Sequence, residues 1–318
     1  MQVKTTIDQF SMPKYRILHI IDSLGTGGSE HQLLLNLSAL DKNRFENLVC
    51  YLRPSEDLLA PMSRLGAHVF CLGVRGKAQW PGSIYRLFRF IKSHRIDLVH
   101  TCLFEADLLG GAVGRLAGVP VVSTLANSCY EPVWLTDNVH LNRFKLAGMR
   151  SVRALLARMA NCHLVAVSQY VKQSAVAQLG VRESKITVIY RALAPSWRHQ
   201  GDDAGVTTLK NRLGINGDWP ILVNVGRLVP QKGQRYLIEA MPRILHHYPQ
   251  ARLLIAGDGL LGPALTRLRG DLGLDDQVQF LGHRDDVGHL LLLGDAFVFS
   301  SLYEGCPNSL IEAMAAGK

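Results

Sequence analysis

Short apolar runs alternate along the chain with longer stretches in which apolar residues recur at helical spacing. Two such stretches are Glu30–Leu40 and Ser83–His94. Continuous apolar runs are typical of strands buried on both faces of a sheet, and their alternation with amphipathic helices indicates an α/β fold with parallel sheets. The predicted strands in the first part of the chain are Tyr15–Asp22, Asn47–Leu52, His68–Leu72, Asp97–Thr101, Val121–Thr124, His163–Ser168 and Thr187–Tyr190.

A polar stretch rich in glycine and aspartate, residues 199–219, interrupts this rhythm and predicts a linker. We therefore predict a tail over residues 1–14, a doubly wound N-terminal domain over 15–198 and a doubly wound C-terminal domain over 220–318. Because ligands bind beyond the carboxyl ends of parallel strands, the predicted site is the cleft between the two domains. The later predicted strands are Ile221–Val225, Arg252–Ala256, Val278–Leu281 and Ala296–Ser300, with a helix over Asn308–Ala316.

Two glycine-containing turns follow predicted strands and are candidates for phosphate binding. The first is Gly25–Glu30, where glycines let backbone N–H groups approach an anion at a helix start, although an ordinary tight turn needs the same residues. The second is Gly226–Gly233, where Arg227 and Lys232 flank the turn. An arginine fork and a lysine point charge suit a diphosphate, whereas two solvated loop cations are the simpler alternative.

A third candidate lies after the last predicted strand, where Glu304 precedes a predicted helix that contains Glu312. Pro307 suits the first turn of that helix. The two carboxylates can approach one ligand from different heights, and carboxylates accept hydrogen bonds from hydroxyl pairs. In contrast, the G-x-G-x-x-G pattern at Gly257–Gly262 follows the second strand of its domain with no acidic ribose partner, so we do not assign a dinucleotide site to it.

Net charge and cysteine pattern indicate which classes of partner to expect. The net charge is +9, with 24 basic and 13 acidic residues among the first 200 and 11 and 13 in the rest, which favours an anionic partner or else an uneven surface. The six cysteines form no C-x-x-C pair and the chain has no D-x-D motif, so we expect no metal site, and no cofactor is expected either. No signal peptide is visible, which predicts a cytoplasmic location, with peripheral contact at the inner membrane face as an open alternative. Nucleic acid is not expected, because no binding motif accompanies the charge.

Two predicted helices are basic and amphipathic and could lie on an anionic membrane, or simply cover a core. In Ser83–His94 the cations Arg86, Arg89 and Lys92 face away from the apolar stripe. The helix Asn142–Ala160 has no acidic residue. Its cations are Arg143, Lys145, Arg150, Arg153 and Arg158, and its predicted apolar face is Leu146, Met149, Val152, Leu155, Leu156 and Met159.

Together these segments resemble the family 4 retaining glycosyltransferases of the GT-B fold. The likeness is carried by Gly27-Gly28-Ser29-Glu30, by "GRLAGVPVVST", "AVSQYVKQ" and "KITVIYRAL", by "VGRLVPQKG", and by the long stretch from Phe280 to Lys318, whose glutamates Glu304 and Glu312 have seven residues between them. It implies transfer of a sugar, with retention and without a metal, from a nucleoside-diphosphate sugar to a lipid-linked, polysaccharide or small-molecule acceptor.

The resemblance also implies roles for individual residues. Arg227 and Lys232 hold the diphosphate, Glu304 lies near the donor sugar and Glu312 binds the ribose. The remaining donor contacts that it implies are Gly27 and Gly28 from the first domain, Arg284 beside the base, and the backbone N–H groups of Asn308, Ser309 and Leu310.

The chain departs from the family pattern at three points. Leu125, Ala126 and Asn127 stand where the family often has a histidine, and Tyr190-Arg191-Ala192 replaces an Asn-Gly pair. Four strands are also few for the second domain, so we predict a fragment truncated at its C-terminal side. Two other functions stay open on the sequence alone: a non-catalytic nucleotide-sugar-binding module, and a sugar-nucleotide epimerase of similar architecture.

Overall fold

A computed structural model describes residues 14–128, 142–159, 161–195, 197, 201–215, 217 and 219–318. The chain forms two compact units. Unit 1 takes in the chain up to Leu125 together with Ser151–Val165 and Leu179–Thr187, and unit 2 takes in Ala126–Arg150, Ala166–Gln178 and Val188–Lys318.

The larger sheet has seven strands in the order β3-β2-β1-β4-β5-β6-β7. Pairing is parallel between β1 and β2, β1 and β4, β2 and β3, and β4 and β5. The strand order reverses between β1 and β4, which is where a doubly wound sheet opens a crevice. The strands are β1 Tyr15–Ile21, β2 Phe45–Tyr51, β3 His68–Cys71, β4 Leu98–Cys102, β5 Val121–Leu125, β6 Cys162–Ala166 and β7 Ile186–Val188.

The helices of this part of the chain follow the strands in turn. They are α1 Gly28–Ala39, α2 Leu59–Arg64, α3 Trp80–Ser93, α4 Phe104–Ala117, α5 Arg143–Arg158 and α6 Gln169–Leu179. Leu33 and Leu37 of α1 and Leu87 and Ile91 of α3 are buried, as their spacing predicts. Among the helices described, none combines the length and the apolar character that crossing a bilayer requires.

The smaller sheet has four parallel strands in the order β10-β9-β8-β11. Ile221 and Val223 of β8 pack into one apolar cluster, whereas Leu253 and Ile255 of β9 pack into another. Both faces of the sheet are therefore covered. Its strands are β8 Ile221–Val225, β9 Arg252–Ala256, β10 Val278–Phe280 and β11 Ala296–Phe297, and its helices are α7 Asp203–Arg212, α8 Gln234–His247, α9 Gly262–Asp271, α10 Val287–Leu293 and α11 Asn308–Ala315.

These elements confirm the α/β class, with two doubly wound parallel sheets. The predicted strand Ala296–Ser300 is shorter than expected: β11 ends at Phe297, although Val298 N still donates to Val223 O of β8 at 2.8 Å. Helix α7 lies inside the predicted linker, and Asp202 caps it by accepting a hydrogen bond from Gly205 N at 2.7 Å. The domain boundaries themselves stay a prediction.

The buried face of helix α5 agrees with the predicted apolar face at Leu146 but not throughout. Arg153, expected on the surface, is buried and pairs with the buried Asp107 of α4. Thr101 and Ser123 donate to the same carboxylate, each at 2.5 Å. Burial raises the pKa of Asp107, while Arg153 and the two hydroxyl groups oppose that rise by favouring the charged form. The predicted apolar positions Val152 and Leu155 are consequently exposed.

Candidate functional site

The turn after β8 is held in shape by backbone contacts. Gly226 N donates to Ala256 O and Leu228 N donates to Asp258 O, each at 2.9 Å. A short 3-10 turn over Pro230–Lys232 then leads to Gly233, whose φ is +63°. A Cβ atom at Gly233 would lie 2.2 Å from Ser300 O, so only glycine fits here.

Three hydrogen bonds join this turn to the segment after β11. Leu302 N donates to Gln231 O at 2.8 Å, and the Gln231 side-chain amide donates to Tyr303 O at 2.9 Å. Ser300 Oγ donates to Lys232 O at 2.9 Å. Because β8 and β11 are neighbours, their carboxyl ends form one continuous rim, which we call the cationic rim (residues 226–233 and 300–304).

The two cations of this rim differ in their partners. Lys232 Nζ lies 2.6 Å from Glu304 Oε1, and both side chains are only 15% exposed. Arg227 is exposed, and its side chain has no hydrogen bond or ion pair to any residue within the described ranges. Of the sequence-predicted residues, Lys232 and Glu304 therefore do come together, while Arg227 lies in the same turn as Lys232 without a contact to either side chain. The rim presents one guanidinium free for an anion and one lysine shared with a carboxylate.

The glycines of the G-x-G-x-x-G pattern have a structural explanation at the same rim. Gly257 has φ +133°, and a Cβ there would lie 2.1 Å from Gly226 O. A Cβ at Gly259 would lie 2.5 Å from Leu228 O. These glycines let the turn after β9 pack against the turn after β8, which fixes the backbone that presents Arg227.

Arg284 follows β10 and is engaged by its own loop. Its Nε donates to Asp286 Oδ1 at 2.7 Å, and a second nitrogen donates to the other carboxylate oxygen. Arg284 thereby holds the pKa of Asp286 below its usual range. The bidentate pair fixes the guanidinium plane, whose predicted contact with a base stays a prediction. The sequence analysis missed Asp286, although its spacing from Arg284 could have indicated it.

Helix α11 begins with the backbone groups that the sequence singled out. The first helical bond runs from Ile311 N to Pro307 O, so the N–H groups of Asn308, Ser309 and Leu310 stand ahead of the helical ladder, at the positive end of the helix dipole.

Two side chains complete this end of the helix. Arg191 donates to Asn308 Oδ1 at 3.3 Å and adds a cation at the helix start, which the sequence analysis treated only as a departure from the family pattern. Glu312 is half-buried one turn further on.

The corresponding turn in unit 1 is arranged differently. Gly27 precedes α1, and Gly28 is its first residue. A Cβ at Gly27 would lie 2.3 Å from a carboxylate oxygen of Glu30, which is buried. The positive end of α1 is thus next to a carboxylate of the same helix, which weakens its attraction for a phosphate.

A second group that the sequence analysis missed lies at the carboxyl ends of β1 and β4. Asp22 Oδ1 accepts a hydrogen bond from Ala106 N at 2.7 Å, near the start of α4, and burial raises its pKa to about 6. Arg53 and Glu105 form an ion pair beside it. Leu103, between β4 and α4, has φ +77°, a conformation that is strained for a non-glycine residue.

Comparison with known proteins gives two family matches. Residues 26–197 match the model described as Glycosyltransferase Family 4, and residues 206–318 match the model described as Glycosyl transferases group 1. The two matches together cover nearly all the residues that carry the turns described above.

Similar individual proteins point the same way. The chain is 29% identical over 250 residues to the UDP-Gal:alpha-D-GlcNAc-diphosphoundecaprenol alpha-1,3-galactosyltransferase of Escherichia coli, covering 74% of this chain and 59% of that protein. It is 26% identical over 246 residues to the alpha-monoglucosyldiacylglycerol synthase of Acholeplasma laidlawii, covering 73% and 61%. The chain thus spans about three fifths of the length of these two relatives.

Among solved structures, the Anabaena protein HepE in complex with UDP-glucose superposes with a TM-score of 0.79 at 23% identity. The match covers 95% of this chain and 79% of that one. At this level of identity, the likeness establishes the fold.

Proposed function

The chain belongs to glycosyltransferase family 4, and we propose that it transfers a sugar from a nucleoside-diphosphate sugar to the hydroxyl group of an acceptor. One observation supports the proposal: Lys232 pairs with Glu304 on a rim whose two segments are joined by hydrogen bonds, and the exposed Arg227 lies in the same turn as Lys232. A rim of this kind suits a ligand that combines a diphosphate with a sugar.

Arg227 and Lys232 can stabilise the negative charge that develops on the leaving group during the reaction. The bond between the anomeric carbon and the diphosphate oxygen breaks, and negative charge grows on the leaving diphosphate. Arg227 and Lys232 neutralise that charge in place of a metal, and preorganised groups of this kind usually supply the largest catalytic contribution. The acceptor oxygen bonds to the anomeric carbon and gives its proton to the departing phosphate. We propose attack from the face that the diphosphate leaves, which retains the configuration.

The Lys232–Glu304 pair acts as a switch between ligand-free and donor-bound arrangements. A diphosphate competes with Glu304 for the ammonium group of Lys232. When the phosphate binds, the Glu304 carboxylate becomes available to hydroxyl groups of the donor sugar, as carboxylates accept such bonds well. Glu312 and the first N–H groups of α11 bind the rest of the nucleotide, with the ribose at Glu312.

The donor and acceptor classes follow from the relatives. The Escherichia coli enzyme uses UDP-galactose with a diphosphoundecaprenol-linked sugar, and HepE was solved with UDP-glucose. The Acholeplasma relative makes a glycolipid. We therefore propose a UDP-hexose donor and a lipid-linked acceptor for this chain.

The test is a donor screen followed by product analysis. UDP-hexoses should raise the melting temperature of the full chain in a concentration-dependent way, because ligands that bind the folded state stabilise it by mass action. UDP release that requires an acceptor would support transfer. A sugar-nucleotide product formed without any acceptor would instead indicate an epimerase, and binding without turnover would indicate a binding module.

A further inference from the structure

Helix α5 has a fixed inner face. Arg153 is buried against Asp107 of α4, and Ala154 and Ala157 are buried beside it. Arg158, at the end of the helix, donates to the backbone oxygen atoms of Leu179 and Gly180 at 3.0 and 3.2 Å. These contacts determine which side of α5 faces outward.

The outer face of α5 is apolar along its centre. Phe144, Val152 and Leu155 are 88%, 50% and 65% exposed, and Gly148 lies between them. Their spacing of four, four and three residues places them on one side of the helix, and the helix itself fixes their relative positions. Large apolar side chains exposed in a row mark an interaction surface rather than an ordinary solvated helix.

Basic side chains border this apolar row. Arg143, Lys145 and Arg150 are exposed, and the helix contains no acidic residue. An exposed apolar row with cationic borders matches the boundary of an anionic lipid leaflet, where apolar groups enter the acyl region and cations stay at the headgroups. A second copy of the chain is a poor partner for this face, since two such faces would repel each other.

We infer that the outer face of α5 (Phe144, Gly148, Val152 and Leu155, bordered by Arg143, Lys145 and Arg150) docks on an anionic lipid surface. Docking needs neither donor nor acceptor, so this inference is separate from the proposed sugar transfer.

Helix α3, the other basic helix, does not share these features. Its Arg86 donates to Leu72 O at 3.0 Å, and its Lys92 donates to Ala117 O at 2.7 Å. Arg89 lies over the ring of Tyr85, at 6.0 Å from its centroid. The cations of α3 thus contact neighbouring groups of the protein itself, and we assign the contact with lipid to α5.

The test is sedimentation of the full chain with vesicles of phosphatidylcholine, either alone or mixed with phosphatidylglycerol. We expect binding to the mixed vesicles only, and weaker binding at high salt. The triple variant R143A/K145A/R150A should bind on the order of 100-fold more weakly, since each basic residue near such a surface contributes about fivefold.

The matched control removes three exposed cations elsewhere, as K42A/R243A/R267A, and should lose no more than about threefold. Binding to neutral vesicles that equals binding to mixed ones would overturn the inference, as would a control that loses as much as the α5 variant.

A second readout places the contact and does not depend on removing charge. In Phe144→Trp the new indole should shift its emission to the blue on mixed vesicles, and brominated lipids should quench it. The control Tyr248→Trp, at an exposed position just after α8, should show neither change. An indole at position 144 that stays in water while the protein is bound would contradict docking through α5. So would concentration-dependent self-association of the chain that Phe144→Ser abolishes, with no lipid binding.

Discussion

The turn after β1 and the turn after β8 both contain glycines, but the glycines have different consequences in the two turns. After β1, Gly27 leaves room for the Glu30 carboxylate beside the start of α1, so a carboxylate of the same helix lies at the positive end of its dipole. After β8, the glycines instead let neighbouring backbones approach one another, and the turn presents Arg227 and Lys232. A glycine pattern alone therefore does not locate a phosphate site; the charges that the turn leaves exposed do.

The largest expected effect concerns the cations of the rim. Lys232→Ala should lower the rate of transfer by about 100- to 1,000-fold, because it removes a preorganised charge from the leaving group and leaves Glu304 without its partner. Glu304→Gln separates the two causes, since it removes the carboxylate but keeps the lysine. Initial rates of UDP release measure both, with Arg243→Ala on α8 as a control that should keep the wild-type rate. A Lys232→Ala enzyme of normal rate would show that the rim has no role in the chemistry.

The second largest effect is expected when a glycine of either turn is replaced, because the two turns differ in what an added Cβ would meet. Gly257→Ala places a Cβ against the backbone at Gly226 with φ +133°, and should lower the free energy of unfolding by about 3 kcal/mol. Gly27→Ala meets only the end of a flexible side chain at an ordinary φ of −76°, and should cost about 1 kcal/mol or less. Urea unfolding of both variants, with Gly76→Ala as a control in open space, measures the difference. Equal losses at the two positions would mean that backbone contact does not set the turn after β8.

Unit 1 also buries several polar side chains, and their burial predicts how the stability of the fold changes with pH. A chain of hydrogen bonds crosses four strands, from Asn47 through His19 and His100 to Thr124, at 2.9 to 3.0 Å. Burial lowers the pKa of His19 to about 4 and that of His100 to about 3. Below pH 6.5 the two imidazoles bind protons in the unfolded chain but remain neutral in the folded chain, so the free energy of unfolding decreases as the pH falls.

Between pH 6.5 and pH 5 this loss should be on the order of 2 kcal/mol for each histidine. The double variant H19Q/H100Q should flatten the acid side of the melting-temperature profile. Asp22 acts in the opposite direction: its raised pKa lets the folded chain bind a proton between about pH 6 and 4, so Asp22→Asn should steepen the acid loss. A wild-type profile that is flat from pH 7 to pH 5 would rule out neutral, buried rings.

The smallest effect is expected at Arg284. If Asp286 holds its guanidinium ready for the nucleotide, Asp286→Asn should weaken UDP binding by about threefold, through loss of positioning rather than loss of the contact itself. Arg284→Ala should weaken it by more, since a charged hydrogen bond is worth roughly 1.5–3 kcal/mol. Calorimetric titration measures both. An Asp286→Asn variant that binds more weakly than Arg284→Ala would reverse the assigned roles.

The sequence predicted the strands well, because continuous apolar runs are local patterns, whereas the roles of the rim residues stay a prediction. It could not show that Lys232 and Glu304 pair, since the two lie 72 positions apart and meet only when β8 and β11 become neighbours. It predicted Leu146 correctly as an inner residue of α5 but placed Val152 and Leu155 there wrongly, for a related reason. Arg153 is buried by Asp107, 46 positions away, and no helical period reveals a partner at that distance.

We propose that the donor diphosphate is held by the cationic rim and not by the glycine turn of unit 1. Titration of UDP into the wild type, Arg227→Ala and Glu30→Gln tests it most directly. We expect Arg227→Ala to weaken UDP binding at least about tenfold, because a charged hydrogen bond is lost, and Glu30→Gln to stay within about twofold of the wild type. An unchanged affinity in Arg227→Ala, together with a tenfold change in Glu30→Gln, would contradict the account.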